Sequence, residues 1–209
     1  MFDLCNALIC IDIQNDFCPG GALAVTDGDG VVPVANRMMH QARKANAPVV
    51  LTQDWHPAAH KSFASNHDDK KPFDIVEMSY GQQVLWPNHC VQGTFGAQFH
   101  DSLHSDLADL VIRKGFRPEI DSYSAFFEND QRTPTGLHGY LQTRGVTTVT
   151  LVGLATDFCV AFSALDAARL GYEVRLVRQG CRAIDLDGSL AEQMAAMQAA
   201  GISVIEDAL

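Results

Sequence analysis

The chain has 209 residues, of which 47% are hydrophobic, and its formal net charge is −10. This length suits one compact domain with a sizeable core, and the hydrophobic content excludes a disordered or fibrous chain. The acidic balance argues against nucleic acid or an anionic membrane surface as a partner, because Lys and Arg are scattered apart from Lys70 and Lys71. No apolar run reaches the roughly 18 residues that a membrane span needs.

The first 17 residues, MFDLCNALICIDIQNDF, predict a β-strand and not a signal peptide. They have no basic leading region, and Asp3 and Asp12 lie in or beside the apolar stretch. We therefore expect a cytoplasmic protein.

The chain contains six cysteines, and no two of them form a CxxC pair. This spacing disfavours a zinc ribbon or a thioredoxin-type site. A chain with a full core does not need disulfide bonds, so most of the cysteines are expected to be small buried hydrophobic residues.

Short apolar runs alternate with segments of helical spacing along the chain. Strands are predicted at residues 7–11, 48–52, 110–112, 148–152, 173–177 and 203–205, and helices at residues 33–45, 135–144, 158–170 and 189–200. Apolar strands separated by helices are typical of a parallel sheet covered on both faces. The predicted fold is therefore α/β, a three-layer α/β/α arrangement around a mostly parallel, doubly wound sheet of about six strands.

Two stretches interrupt this alternation. Residues 17–30 are rich in Gly and Asp, and residues 53–104 hold six of the eight histidines and both tryptophans. Loops of this length inside a compact domain are usually functional. With no internal repeat or linker, we expect one domain over residues 1–209, with a loop excursion at residues 53–104.

Three reactive side chains fall at the carboxyl ends of predicted strands: Asp12, Lys114 and Cys159. Ligands of open parallel sheets bind at those ends. Each residue alone has an ordinary explanation, as a turn cap, a surface charge or a core residue. Their coincidence at one end of the sheet favours a catalytic group.

The chemistry of such a group is that of acyl transfer from an amide. A thiol at a helix N-terminus near a lysine is expected to have a lowered pKa. A carboxylate can take the thiol proton and pass it to a leaving amine, and backbone N–H groups of the turn can hold an oxyanion.

Six blocks, in this order, carry a family resemblance: DIQNDFCPGGALAV, DWHPAAHKSF, WPNHCVQGTFGAQFH, IRKG, DSYSAF and GLATDFCV. Between residues 7 and 205 the chain resembles the nicotinamidases of the isochorismatase-like cysteine hydrolase superfamily. The resemblance implies conversion of nicotinamide to nicotinate and ammonia through a cysteine thioester, in NAD salvage, with pyrazinamide as a second substrate.

The resemblance also implies roles for individual residues. Cys159 would be the nucleophile, Asp12 the general base and acid, and Lys114 their electrostatic partner. The N–H groups of Ala155 and Cys159 would form the oxyanion hole, and the Leu154–Ala155 peptide matches one that is cis in the family. The implied substrate-binding residues are Phe17, Trp86, Tyr123, Leu154 and Ala155.

A metal site is expected at Asp54 and His56, which stand two apart after a strand and so face the same way. The resemblance supplies His89 as the third ligand. One carboxylate and two imidazoles suit Zn²⁺, Fe²⁺ or Mn²⁺ and leave positions open for water and for a pyridine nitrogen. Water, or Ser62 through a water, is expected to complete the shell, and His60 is less favoured.

Three alternatives remain at this point. One is a metal-independent N-carbamoyl amide hydrolase, which the DWH block and His89 disfavour. Another is an isochorismatase, which needs no cysteine nucleophile such as Cys159. The third is a non-catalytic protein that binds a metal or a pyridine, which would not need an activated thiol. A homo-oligomer is compatible with the resemblance, because one-domain members of the superfamily often self-associate.

Overall fold

The computed structural model describes residues 2–207 and contains a six-stranded parallel sheet. The strands in chain order are β1 (Asn6–Ile11), β2 (Val49–Asp54), β3 (Ile75–Met78), β4 (Gly81–Val84), β5 (Leu110–Lys114), β6 (Thr148–Leu154), β7 (Glu173–Arg182) and β8 (Ser203–Ile205). The sheet order is β5-β2-β1-β6-β7-β8, and β3 and β4 form a separate antiparallel hairpin.

Four α-helices flank this sheet. They are α1 (Val31–Lys44), α2 (Leu137–Thr143), α3 (Ala161–Arg169) and α4 (Ser189–Ala199). Helix α1 packs on one face of the sheet, and the other three pack on the opposite face. The predicted three-layer α/β/α class with a doubly wound sheet is therefore confirmed.

Three local features differ from the predicted elements, and the first is strand β7, which continues to Arg182 although the predicted strand ends at residue 177. The predicted helix at 158–170 begins three residues later, because Thr156–Val160 forms a π-helical turn. The β3–β4 hairpin was not predicted, since its four-residue strands are largely exposed or half-buried and show no buried apolar run.

Strand β1 shows why a strand at the centre of this sheet contains a continuous apolar run. Leu8 and Cys10 point into the core shared with α1, whereas Ala7, Ile9 and Ile11 point into the opposite core. Successive side chains of a strand face opposite sides, so a sheet covered on both faces needs apolar residues at every position.

Helix α1 binds the sheet through one apolar stripe. Val31, Ala35, Met38, Met39 and Ala42 are fully buried and follow the spacing of a single helix face. Burial of each methionine side chain contributes about 1.5–3 kcal/mol. Among residues 2–207, no helix has both the length and the hydrophobicity that a membrane span requires.

The sheet has a topological switch point between β1 and β6. From β1 the chain winds outward to β2 and β5 on one side, and then returns to β6, β7 and β8 on the other. Open α/β sheets bind ligands beyond the carboxyl ends of the strands at such a point. We call this end of the sheet the carboxyl rim, and residues 55–109, which join β2 to β5, the long connection.

Candidate active site

The carboxyl rim brings the three reactive side chains into contact. Asp12 directly follows β1, Lys114 ends β5, and Cys159 lies in the π-turn after β6. The Nζ atom of Lys114 is 2.8 Å from Asp12 Oδ2 and 3.4 Å from Cys159 Sγ. Lys114 is fully buried, and its ammonium also contacts Asp54 and donates to the carbonyl of Ser122 at 2.9 Å. The ammonium therefore joins the carboxylates and the thiol in one cluster.

Strand register explains how these groups meet. In the β2–β5 pair, Asp54 lies directly opposite Lys114. In the β1–β6 pair, Ile11 lies opposite Gly153, which has a φ of +129°. A Cβ at Gly153 would collide with the carbonyl of Ile11, so only glycine lets β6 approach β1 this closely.

Asp12 has a backbone conformation that turns the chain out of β1. Its φ is +47°, in the left-handed region that Asp tolerates better than most residues. Its Oδ1 accepts a hydrogen bond from the hydroxyl of Thr52 at 2.6 Å, which fixes the carboxylate beside Lys114. Thr52 lies in the middle of an apolar strand, and its local sequence pattern gives no sign of this function.

The pKa of the Cys159 thiol differs from the expectation. Burial raises this pKa well above its usual value; Lys114 opposes the shift, while the Asp12 and Asp54 carboxylates add to it. The direction of this shift is therefore opposite to the expected lowering. Burial also raises the pKa of Asp12 against the opposing effect of Lys114, which makes this carboxylate a stronger base.

The predicted metal ligands also converge. Asp54, His56 and His89 are each at most 4% exposed, and their ligand atoms lie within 4.8 Å of one another. The Nε2 atoms of His56 and His89 lie 3.6 Å and 3.8 Å from Asp54 Oδ2. The remaining ring nitrogens face backbone carbonyls, since His56 Nδ1 is 2.8 Å from Gly115 O and His89 Nδ1 is 2.8 Å from Pro87 O.

These contacts fix a hydrogen on the Nδ1 atom of each ring. A carbonyl oxygen only accepts hydrogen bonds, so Nδ1 of His56 and of His89 must carry a hydrogen, and a neutral ring then keeps a lone pair on Nε2. Two such nitrogens and one carboxylate oxygen fit a divalent transition metal ion. Gly115, with a φ of +67°, supports this arrangement, because a Cβ there would overlap the His56 ring.

His60 is close to the ligands but has a different hydrogen-bond pattern. Its Nδ1 accepts from the Ser62 N–H at 3.1 Å and lies 2.7 Å from the Ser62 hydroxyl, while its Nε2 faces the Ile120 carbonyl at 3.3 Å. Burial lowers the pKa of His60, so the ring is neutral and has a single N–H, on Nε2. Neither nitrogen offers a free lone pair, and Ser62 is occupied by His60.

A cleft opens above the triad and the metal ligands. Four of the five predicted substrate-binding residues line it: Phe17, Trp86, Tyr123 and Ala155. The Nε1 of Trp86 donates to the Tyr123 hydroxyl at 3.1 Å, which fixes both rings. Leu154 is not among the residues that line the cleft, since its side chain is fully buried in the core shared with α1, and its substrate contact stays a prediction.

The turn that carries Cys159 has the backbone expected from the resemblance. The peptide between Leu154 and Ala155 is cis. The carbonyl of Ala155 accepts hydrogen bonds from the N–H groups of Phe158 and Val160, each at 3.1 Å. The assignment of the Ala155 and Cys159 N–H groups to an oxyanion hole stays a prediction.

Four further residues line the cleft and were not predicted from the sequence: Leu23, Asp121, Phe158 and Ile184. Asp121 was detectable, since it stands two residues before Tyr123 in the DSYSAF block and therefore faces the same way in an extended segment. Leu23 and Ile184 come from distant loops and have no local signal.

Comparison with known proteins agrees with this geometry. The family model for the isochorismatase domain matches residues 6–208. The chain belongs to the isochorismatase family. This confirms the isochorismatase-like fold and a hydrolase of that family.

Individual relatives are close over nearly the whole chain. A nicotinamidase from Acinetobacter baylyi is 51% identical over 199 residues, which cover 95% of this chain and 91% of that protein. The structure of an Acinetobacter baumanii nicotinamidase/pyrazinamidase superposes with a TM-score of 0.93 at 51% identity, covering 97% of this chain and 96% of that one. A Pyrococcus horikoshii pyrazinamidase solved with zinc has a TM-score of 0.78 at 34% identity, with coverage of 96% and 98%.

Proposed function

We propose that this protein is a metal-dependent nicotinamidase, which hydrolyses nicotinamide to nicotinate and ammonia and also cleaves pyrazinamide. The observation that carries the proposal is the contact of one buried ammonium, that of Lys114, with Asp12, Asp54 and Cys159 at the floor of an aromatic cleft. The 51% identity to a nicotinamidase supports the choice of substrate.

The first half of the reaction forms a thioester. Asp12 takes the proton from Cys159, and the sulfur attacks the carboxamide carbon. The carbonyl oxygen becomes an oxyanion, which the N–H groups of Ala155 and Cys159 stabilise. Asp12 then returns the proton to the amide nitrogen, the C–N bond breaks, and ammonia leaves. Lys114 keeps its charge throughout, because its carboxylate neighbours raise its pKa well above the usual value despite burial.

The second half releases the acid. Asp12 takes a proton from a water molecule, whose oxygen attacks the thioester carbon. The C–S bond breaks and the proton passes from Asp12 back to the sulfur of Cys159. Nicotinic acid leaves and loses its remaining proton to solvent, which gives nicotinate. The same carboxylate thus serves as base and acid in both halves, which a raised pKa favours.

Asp54, His56 and His89 would hold one divalent ion, for which we propose Zn²⁺, Fe²⁺ or Mn²⁺. When bound, the ion supplies a Lewis acid with an open position for the pyridine nitrogen. The flat ring would pack between the side chains of Phe17 and Trp86, which lie on the walls of the cleft.

The geometry disfavours two of the three alternatives, the metal-independent amide hydrolase and the non-catalytic binder. A metal-independent amide hydrolase would not need two imidazoles aimed at the same carboxylate oxygen. A non-catalytic binder would not need a thiol 3.4 Å from a buried ammonium.

Several broader expectations stay predictions. We propose a single hydrolase domain over residues 1–209, supported by a family match that spans 6–208. A cytoplasmic function in NAD salvage, without a nucleic acid or membrane partner, fits a small-molecule substrate. Self-association of the chain also remains a prediction.

The decisive experiment measures ammonia release from nicotinamide by the purified enzyme. It is done before and after treatment with a chelator, and again after Zn²⁺, Fe²⁺ or Mn²⁺ is added back. We expect turnover to fall on chelation and to return with one of these ions. A turnover rate that is unchanged after complete removal of the metal would contradict the proposed role of the metal. Absence of turnover with every ion tested would contradict the nicotinamidase activity.

A further inference from the structure

Asp121 is a cleft residue to which the reaction above gives no function. It lies in the loop between β5 and α2, is only 2% exposed, and lines the cleft together with the metal ligands. Its Oδ1 is 4.0 Å from Nε2 of His56, the nitrogen that keeps the lone pair. The carboxylate therefore stands beside the metal ligands without being one of the three.

Neutral groups hold this carboxylate in place. Oδ1 accepts from the N–H of Ser122 at 2.8 Å, and Oδ2 accepts from Nε2 of Gln83 at 2.9 Å. Gln83 is itself buried and also donates to the Tyr123 hydroxyl at 2.9 Å. These contacts fix the orientation of Asp121, but none of them supplies a positive charge.

Two other buried carboxylates in the described chain have an arginine partner, whereas Asp157 is held by the N–H groups of Ile184 and Asp185 and by the Ser189 hydroxyl. Glu128 pairs with Arg117 at 2.8 Å, and Asp166 pairs with Arg169 at 3.0 Å. Within residues 2–207, no lysine or arginine nitrogen lies within 4.0 Å of Asp121, and the histidine nitrogen at that distance is Nε2 of His56. Asp121 is thus a buried carboxylate that no lysine or arginine compensates.

The charges around the site add to this imbalance. Asp12, Asp54 and Asp121 are three carboxylates, and Lys114 is the one buried ammonium among them. With His56 and His89 neutral, as metal ligation requires, two negative charges are left over, and uncompensated charge in a buried site is unfavourable. One divalent ion at the three ligands would neutralise both.

We propose that Asp121 is a charge-compensating carboxylate of the metal centre, which raises the affinity for a divalent cation without being one of the three ligands. It acts through the ion that Asp54, His56 and His89 hold, so it is a positioning residue and not a catalytic one. The inference rests on the metal dependence proposed above.

The test is a zinc competition titration against a chromophoric chelator, with the full-length protein first stripped of metal. Asp121→Asn keeps the size of the side chain and removes its charge, and we expect its zinc affinity to be about 10–100-fold weaker than that of wild type. Asp121→Glu restores the charge and should recover most of this loss. A purely structural role would not make affinity follow charge in this way.

Glu128→Gln is the matched control, because it removes a buried carboxylate from the same loop but outside the cleft. Its zinc affinity should stay within about twofold of wild type. Thermal unfolding of each variant checks that it is folded, and Asp121→Ser provides a second neutral variant if Asp121→Asn does not fold.

The outcomes separate this inference from the proposed function. Zinc affinity unchanged in Asp121→Asn, or equally weakened in Glu128→Gln, would overturn the role of Asp121 alone. A wild-type protein that binds no zinc and needs none for turnover would overturn the metal dependence and this inference together.

Discussion

The carboxyl rim and the long connection place functional side chains by different means. The rim supplies Asp12, Lys114 and Cys159 from the ends of three parallel strands, whose pairing register fixes their separation. The long connection supplies His89 and Trp86 from irregular backbone. Hydrogen bonds between paired strands position the reacting side chains of the rim. The metal-binding and substrate-binding side chains of the long connection need other support.

That support comes from buried polar side chains. Gln14 is fully buried, accepts from the N–H of Asp54 at 2.8 Å, and donates to the carbonyls of Asp54 and Ala97 at 2.9 Å. Asp16 accepts from the N–H of Cys90, the neighbour of His89, at 2.7 Å. Substitutions at the rim should therefore affect the chemical step, and substitutions under the long connection should affect metal affinity and stability.

Cys159→Ala should have the largest effect on turnover. We expect activity below about 1% of wild type in the ammonia assay, because the nucleophile is lost. Zinc content and thermal stability should stay near wild type, since the sulfur is not a support for the long connection. Residual activity above that level would exclude Cys159 as the nucleophile.

Asp54→Ala should affect both regions, because this carboxylate contacts Lys114 and is also a metal ligand. We expect near-complete loss of bound metal by elemental analysis, together with weaker nicotinamide binding. His67→Ala is the control, since its ring bonds to the Lys61 carbonyl and lies outside the ligand set. Unchanged metal content in Asp54→Ala would refute its ligand role.

The pH dependence of Cys159 alkylation tests the electrostatics of the rim. Because the pKa of this thiol is raised, iodoacetamide should modify Cys159 slowly at pH 7 and faster only in alkaline solution. Asp12→Asn removes a negative charge that raises this pKa, so alkylation at fixed pH should accelerate by about tenfold per pKa unit regained.

Peptide mass spectrometry of the metal-free protein measures this modification. Alkylation of the exposed Cys5 is the control that shows the reagent is active. Amidase activity of Asp12→Asn should fall even though its thiol reacts faster. Equal alkylation rates in the two proteins would show that Asp12 does not control the thiol.

Gln14→Met should weaken the support of the long connection. The change keeps the bulk of the side chain but leaves buried backbone groups unpaired, at about 1–3 kcal/mol for each. Urea unfolding should show this loss of stability, and zinc affinity should fall with it. Exposed Gln142→Met should change stability by less than about 0.5 kcal/mol; the same small change in Gln14→Met would show that its hydrogen bonds are not needed.

Trp86→Phe should have the smallest effect. It keeps an aromatic wall but removes the hydrogen bond to the Tyr123 hydroxyl, which contributes about 0.5–1.5 kcal/mol. We expect KM for nicotinamide to rise up to about tenfold with kcat nearly unchanged. Tyr123→Phe removes the same bond, so the two effects should not add in the double variant; full additivity would mean that this bond does not support the cleft.

Much of the rim was predictable from the sequence. Continuous apolar runs gave the parallel strands, and the residues that follow them gave Asp12, Lys114 and Cys159 as neighbours. The two-residue spacing of Asp54 and His56 indicated two of the three proposed metal ligands, and the family resemblance added His89. These features depend on strand periodicity and on the order of residues along the chain, which a sequence displays directly.

The tertiary structure alone decided the rest. It raised the pKa of Cys159, which was expected to be lowered, and buried the side chain of Leu154 in the core. It also paired the Nδ1 lone pair of His60 with the Ser62 N–H. It also placed the buried charge of Asp121 beside His56. Each of these results depends on burial and on neighbours distant in the chain, because desolvation and charge balance are sums over surroundings that no local pattern contains.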